Sequence, residues 1–126
     1  MKKPTFDQLD SFTRGYVEAL FFTELPEHRQ RSGDIRTWFD FADAWHQLNR
    51  KTQDALRADC DDFQQQERVQ ALAQDWTEDD KHDAGQDFWF TRNHHGTGFW
   101  DDANWPDHGE ELATLAHTYG SQETYG

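Results

Sequence analysis

Apolar residues recur at intervals of three and four along the first half of the chain, which is the pattern of amphipathic helices. The pattern predicts a first helix over residues 6–22, a second over residues 38–48, and a third that begins near Thr52 and continues through Leu72. The repeating residues are Leu9, Phe12, Tyr16 and Leu20, then Trp38, Phe41, Trp45 and Leu48, then Leu56, Cys60, Phe63 and Val69. The N-terminal half is therefore predicted to be helical.

The spacing of apolar residues changes after Gly85. Thr77 is followed three residues later by Asp80, a spacing typical of the cap of a short helical turn, and Gly85 is placed to end that turn. Residues 86–92 and 96–101 are rich in aromatic residues and threonine, as strands are, and the Asn-His-His-Gly between them tolerates the positive φ of a tight turn. The pattern predicts an aromatic β-hairpin over about residues 86–101.

A last helix is predicted over about residues 108–119. Asp107 and Glu110 form a start that resembles a capping box, and Gly120 is placed to stop the helix. A short strand at residues 123–125 could follow. We therefore predict an α+β fold, with a helical N-terminal half, the hairpin as a small sheet and the C-terminal helix, in a single domain over residues 1–126.

The predicted hairpin carries aromatic residues on both faces, because side chains alternate along a strand. Phe88 and Phe90 share one face, and Trp89 lies on the other. The helices can cover one face, whereas the other face is either buried within the same domain or presented to a partner, since tryptophan and tyrosine dominate binding hot spots. An exposed aromatic face could equally be a homodimer interface.

Charge is distributed unevenly along the chain. The sequence has a net charge of −13. Residues 1–68 contain 13 acidic and 10 basic side chains, a net of −3, while residues 69–126 contain 12 acidic and 2 basic side chains, a net of −10. Such a field repels nucleic acid and anionic membranes and attracts basic protein surfaces, including those that bind DNA or RNA. The plainer interpretation of the acidity is solubility.

The remaining composition favours a protein of a reducing compartment. No apolar run approaches the roughly 18 residues that a membrane span requires, and no apolar segment follows the first residues, so we expect a soluble protein that is not exported. Cys60 is the single cysteine, which excludes an internal disulfide and a zinc site built from several cysteines. Its place in a helical pattern predicts a core residue.

The segment Asp87–Asp101, with the sequence DFWFTRNHHGTGFWD, resembles the signature of a family of small acidic proteins encoded by tailed bacteriophages, which usually read DFWLTRNGHGAGFWD. The resemblance covers Ala84 to about Gly120 well and Ala55–Phe63 more weakly. The sequence departs from the family at His94, where the family has glycine, and at Ser121–Gly126, which replaces a longer β-rich tail. The resemblance implies a phage origin and an accessory role in the cytoplasm of the infected bacterial host. It carries over no catalytic residue, because the family has no assigned activity.

Histidines and carboxylates around the predicted hairpin raise the alternative of a metal site. Imidazole and carboxylate groups are ligands for zinc and other divalent metals, and the candidates are His94, His95, Asp101 and His108. Adjacent histidines point in different directions in an extended chain, and no His-x-His or His-Glu-x-x-His spacing is present. A metal-free acid/base site would use His95, Asp101 and Arg92, but no nucleophile elbow or phosphate-binding loop accompanies them.

The sequence therefore predicts a non-enzymatic acidic phage accessory protein that binds and modulates a host or defence protein with a basic surface. Mimicry of nucleic acid is a narrower version, which needs carboxylates spaced like phosphates. The predicted contact residues are Trp89, Trp100, Arg92, Asp101, Asp102, Asp79, Asp80 and Asp83. No catalytic residue, cofactor, direct nucleic-acid contact or membrane contact is predicted. The alternative is a small His/Asp metal-dependent enzyme or metal-binding protein.

Overall fold

The computed structural model describes residues 5–24, 41–93, 98–99, 105 and 108–120. These residues form a 3-10 turn over Phe6–Gln8 and the helices α1 (Ser11–Glu24), α2 (Phe41–Gln47), α3 (Arg50–Gln65), α4 (Glu67–Leu72), α5 (Glu78–Arg92) and α6 (Gly109–His117). No β-strand occurs in this part of the chain. Within it, every helix is too short or too polar to cross a lipid bilayer.

The predicted α+β fold with a hairpin over residues 86–101 is wrong. The residues predicted as its first strand form the second half of α5. This helix has 15 residues, continues through Gly85 and ends at Arg92. The helix begins at a complete capping box, in which the Thr77 hydroxyl accepts from the Asp80 amide and the Asp80 carboxylate accepts from the Thr77 amide. Of the residues predicted as the second strand, the structure describes Gly98 and Phe99, and neither belongs to a β-strand.

The aromatic run at residues 86–92 resembles a strand although it is helical, because α5 is buried on most of its circumference. Its buried residues are Ala84, Gly85, Asp87, Phe88, Trp89, Thr91 and Arg92. A helix enclosed in this way carries large apolar residues at adjacent positions, and a run of adjacent aromatic residues then resembles a strand. The short strand predicted at residues 123–125 lies outside the described residues.

The helical predictions for the first half are confirmed where the structure describes them, with shifted boundaries, and residues 38–40 of the predicted second helix lie outside the described residues. The first helix begins at Ser11, after the 3-10 turn that carries Phe6. The third is divided at Gln66 into α3 and α4. In the second half, α6 matches the predicted C-terminal helix, with His108 at its N-cap and Gly120 at φ +69° just beyond its end. Cys60 is fully buried, and this burial raises the pKa of its thiol well above the ordinary range.

Helix α1 lies at the centre of the fold. Its residues Phe12, Tyr16, Val17, Leu20 and Phe21 are at most 1% exposed, and the helix packs against α5, α3 and α2. Because almost no side of residues 11–21 faces water, α1 is a core helix.

Helices α1 and α5 cross at two glycines. A Cβ atom on Gly15 would lie 2.0 Å from the carbonyl oxygen of His82, and one on Gly85 would lie 1.9 Å from that of Phe12. Neither distance is compatible with a side chain, so the two backbones are in direct contact. The missing side chain of Gly85 therefore leaves the space that the backbone of α1 occupies, and the prediction that Gly85 ends a helical turn is wrong.

Aromatic rings from four segments fill the space beside this crossing. The rings of Phe63 and Phe88 stack with centroids 4.5 Å apart, and Phe99 stacks on the other side of Phe63 at 5.9 Å. The edge of Trp89 meets Tyr16 at 5.5 Å. Large apolar areas are thereby removed from water, which is the dominant stabilising contribution in a chain of this size.

Candidate functional site

Arg92 occupies the most highly connected polar position among the described residues. Its side chain is 3% exposed. Nε donates to the Gly120 carbonyl at 2.8 Å and Nη2 to the Tyr119 carbonyl at 3.1 Å, while Nη1 donates to Asp59 Oδ2 at 2.9 Å and to the Tyr16 hydroxyl at 3.2 Å. One guanidinium thus joins α5 to α1, to α3 and to the end of α6. Arg92, a predicted contact residue, faces the protein interior.

The surroundings of Arg92 suit a buried cation. Its guanidinium lies over the rings of Phe88 and Tyr119, at 5.3 and 5.8 Å from their centroids. The two carbonyls that it binds belong to Tyr119 and Gly120, in the turn that follows the last residue of α6. Burial raises the pKa of the Tyr119 phenol to about 12, assisted by its hydrogen bond to Asp62 at 2.6 Å.

Two further polar residues of α5 hold the chain that follows the helix. Asp87, which is 6% exposed, accepts a hydrogen bond from the indole Nε1 of Trp105 at 2.7 Å. The fully buried Thr91 hydroxyl accepts one from the backbone amide of Phe99 at 3.1 Å. Asp87 and Thr91 are one helical turn apart, so both point from the same side of α5.

Residues 87–92, the first half of the phage-like signature, therefore make contacts within the protein. Asp87, Thr91 and Arg92 make the hydrogen bonds described above, and Phe88 and Trp89 are fully buried aromatic core residues. Trp89, a predicted partner-binding residue, presents no surface. The signal for this arrangement was present in the sequence, because Asp87/Thr91 and Phe88/Arg92 are each spaced by four residues, as neighbours on a helix are.

The predicted contact residues that do face solvent lie at the start of α5. Asp79 is exposed, and Asp80 and Asp83 are partly exposed. Residues 84, 85, 87, 88 and 89 turn inward, which places Asp79 and Asp83 on the outer side of the helix, four residues apart. Asp80 is partly occupied by its bond to the Thr77 amide. We call Asp75–Asp83 the acidic segment.

The acidic segment is held against α1 by two polar contacts. Glu78 Oε1 accepts a hydrogen bond from the Ser11 hydroxyl at 2.9 Å, and His82 Nε2 lies 3.2 Å from Glu18 Oε2. Hydrogen bonding to Glu18 raises the pKa of His82, and partial burial opposes the rise. Lys81, the basic residue of the segment, pairs with Glu78 at 3.1 Å.

A small polar pocket opens where the start of α1 meets α3. Its volume is about 250 Å³. The lining residues are Gln8, Leu9, Asp10, Thr13, Arg57 and Asp61. Asp10 accepts hydrogen bonds from the Thr13 amide at 3.2 Å and from Gln64 Nε2 at 2.9 Å. The pKa of the Asp61 carboxyl is raised, first by partial burial and then by the negative charge of Asp10. Sequence reasoning missed this pocket, since Asp10 and Asp61 are far apart in the chain.

The metal-site alternative concerns residues that are mostly beyond the described ranges. His94, His95 and Asp101 lie outside them, as do Trp100 and Asp102. His108 is described, is exposed, and stands at the N-cap of α6 without a side-chain capping bond. Within the described part of the chain, no group of three or more His, Cys, Asp or Glu residues could hold a metal ion.

Comparisons of the chain with known proteins find no match. No protein-family model matches the chain, and neither a curated protein nor a solved structure does. The resemblance to small acidic phage proteins stays a prediction that depends on the signature alone.

Proposed function

We propose that the protein is a non-enzymatic accessory protein of phage origin, which acts in the cytoplasm of the infected bacterium by binding a basic surface of a host or defence protein. The observation that carries the proposal is the acidic segment, Asp75–Asp83, which contains five acidic residues and one lysine. Its Asp79 and Asp83 occupy the outer side of a helix that the core holds in place.

Carboxylates of the acidic segment are the proposed contacts in the described part of the chain, whereas the predicted contact Trp100 lies outside it and stays a prediction. Trp45 and Trp89 are fully buried and Trp105 is 7% exposed, so these rings are occupied in the core. A binding surface built from them would require the protein to unfold. The acidic segment needs no such change, because Asp79 is exposed and Asp83 is partly exposed on the outer side of α5.

A rigid acidic helix suits recognition of a basic site. Like charges held close together raise the local negative potential, which steers a positively charged partner and rejects nucleic acid. The interaction would weaken as salt screens it, with a screening length of about 8 Å at physiological ionic strength. Competition with nucleic acid for the same basic site is the narrower version of this proposal.

The test is affinity capture from bacterial lysate with two variants of equal net charge. The first, Asp79→Asn with Asp83→Asn, removes the two carboxylates on the outer side of α5 and changes the net charge of the acidic segment from −4 to −2. The second, Glu67→Gln with Glu110→Gln, removes two exposed carboxylates from α4 and α6. We expect the wild type and the second variant to retain the same partner at low salt, and this partner to have a basic surface. The first variant should lose it.

Two outcomes would reject the proposal. One is the absence of any partner above background at both low and moderate salt. The other is a partner that both variants retain equally, since the acidic segment would then make no contribution. Addition of competing DNA or RNA to the capture tests the narrower version, which requires that nucleic acid displace the protein from its partner.

A further inference from the structure

We propose that the pocket between α1 and α3 binds a basic side chain of the partner, through the Asp10 and Asp61 carboxylates. This inference deepens the proposed function and depends on it, because it assigns a specific contact to a basic partner. Its lining residues differ from those of the acidic segment, although Glu78 of that segment bonds Ser11, the neighbour of Asp10 in the chain. The two surfaces can therefore be tested separately.

The size of the pocket fits one side chain. Its volume of about 250 Å³ is smaller than the range of roughly 300–1,000 Å³ in which drug-sized ligands and cofactors bind. A nucleotide or a folded peptide segment would not enter. A single arginine or lysine side chain, extended from a partner surface, would.

The two carboxylates are prepared for a cation. Asp10 is held in place by the Thr13 amide and by Gln64, which occupy one acceptor position on each of its oxygens. Each carboxylate oxygen can accept a second hydrogen bond, so Asp10 keeps acceptor capacity. The pKa of the Asp61 carboxyl is raised first by burial and then by repulsion from the negative charge of Asp10, which Arg57 opposes. A bound cation would relieve this repulsion.

The apolar part of the lining matches the rest of such a side chain. Leu9 is 7% exposed and contributes a hydrocarbon wall beside the polar groups. Arginine and lysine carry methylene stems that pack on apolar surface while the charged head reaches polar partners. Hydrocarbon and carboxylate together therefore select a basic side chain over a small inorganic cation, which would gain nothing from Leu9.

Arg57 gives the inference a directional test. It lines the same pocket and lies 4.0 Å from Asp54 in an exposed pair. Its positive charge opposes an incoming cation, so its neutralisation should strengthen binding, whereas neutralisation of Asp61 should weaken it. A merely structural role for these residues would not produce opposite effects.

The experiment is an NMR titration of the full chain at low salt with acetyl-Gly-Arg-Gly-amide. The same peptide with citrulline in place of arginine is the control, because citrulline has nearly the same shape without the charge. We expect the arginine peptide to shift the amide signals of Asp10, Thr13 and Asp61, and the citrulline peptide to leave them unchanged. Asp61→Asn should weaken the binding about fivefold, the upper range for a single exposed ion pair, and Arg57→Gln should strengthen it. Glu67→Gln, an equal charge change on α4, should leave it unaltered.

Equal shifts with both peptides, the absence of shifts at the pocket, or indifference to Asp61→Asn would overturn the inference. Shifts confined to the acidic segment, together with a captured partner that depends on Asp79 and Asp83, would reject this pocket and leave the proposed function standing. Shifts at the pocket without any captured partner would reject the proposed function and retain the pocket as a site for basic side chains.

Discussion

Gly85 of α5 lies directly against the backbone of Phe12 in α1, so closely that a Cβ atom would stand 1.9 Å from the Phe12 carbonyl oxygen. The reciprocal contact, Gly15 against the His82 carbonyl, lies on the same crossing. Such an approach lets the two helices bring their neighbouring aromatic residues into one core.

Gly85→Ala should destabilise the protein by about 3 kcal/mol, the upper range for overpacking of a close contact. In an open helix the same change would stabilise by about 1 kcal/mol, because alanine is the better helix former. The sign of the change in the free energy of unfolding, measured with urea, therefore distinguishes the two cases. Gln86→Ala, one residue along and partly exposed, is the control and should be nearly neutral.

Arg92→Lys should cost about 2–4 kcal/mol, since a lysine ammonium cannot reach the four acceptors that the guanidinium serves. Arg68→Lys is the matched control. Arg68 forms an ion pair with Glu111 on the surface, and its replacement should leave the free energy of unfolding nearly unchanged, because solvent screens the pair. Equal effects of the two substitutions would contradict the role assigned to Arg92.

Asp87→Ala should destabilise by about 2 kcal/mol, because the buried indole N–H of Trp105 loses its acceptor. Asp87→Asn keeps an oxygen acceptor in the same place and should cost clearly less. Thermal unfolding of both variants provides the comparison. If the asparagine variant is as unstable as the alanine variant, the bond to Trp105 is not what makes Asp87 stabilising.

The contact between His82 and Glu18 should make stability depend on pH. The pKa of His82 is raised in the folded chain, so its contribution is complete below the ordinary histidine value of about 6.5 and is lost as the pH rises through the folded value. The partly exposed pair should contribute less than about 1 kcal/mol. Urea unfolding between about pH 6 and pH 8 should show the wild type losing stability relative to His82→Gln over this interval. Parallel curves for the two proteins would exclude the effect.

Metal should neither accompany the purified protein nor stabilise it, if the protein acts by binding a partner as proposed. Elemental analysis of protein prepared without a histidine tag, with thermal shifts on addition of Zn²⁺, Mn²⁺ or Mg²⁺, checks this expectation. His94→Gly should leave folding and partner capture unchanged. Stoichiometric metal, or loss of function in this variant, would favour the alternative site at His94, His95, Asp101 and His108.

The sequence predicts the helices of this fold well wherever the large apolar residues keep a spacing of three and four along the chain. The stripe of Leu56, Cys60 and Phe63 on α3 is such a case, and all three residues are fully buried. The prediction fails at α5, where buried residues occupy most of the circumference and the period of 3.6 is hidden. The four-residue spacing of Asp87 and Thr91 could have indicated the helix.

The candidate surfaces also divide into those that local sequence features predict and those that depend on contacts between distant segments. The exposure of Asp79 follows from local features, since a capped helix start rich in acidic residues faces solvent. The burial of Trp89 and Arg92 depends on α1, α3 and α6, whose positions no local pattern contains. The pocket at Asp10 and Asp61 likewise depends on how two distant segments meet.

The four acceptors of Arg92 come from segments separated from it by 27 to 76 residues in the chain. Contacts over such separations form late in folding, because the entropy of closing the intervening loops must be overcome first. The Arg92 contacts with the Tyr119 and Gly120 carbonyls tie the turn after α6 to the same guanidinium that binds α1 and α3. We therefore expect docking of α6 to depend on prior assembly of α1, α3 and α5.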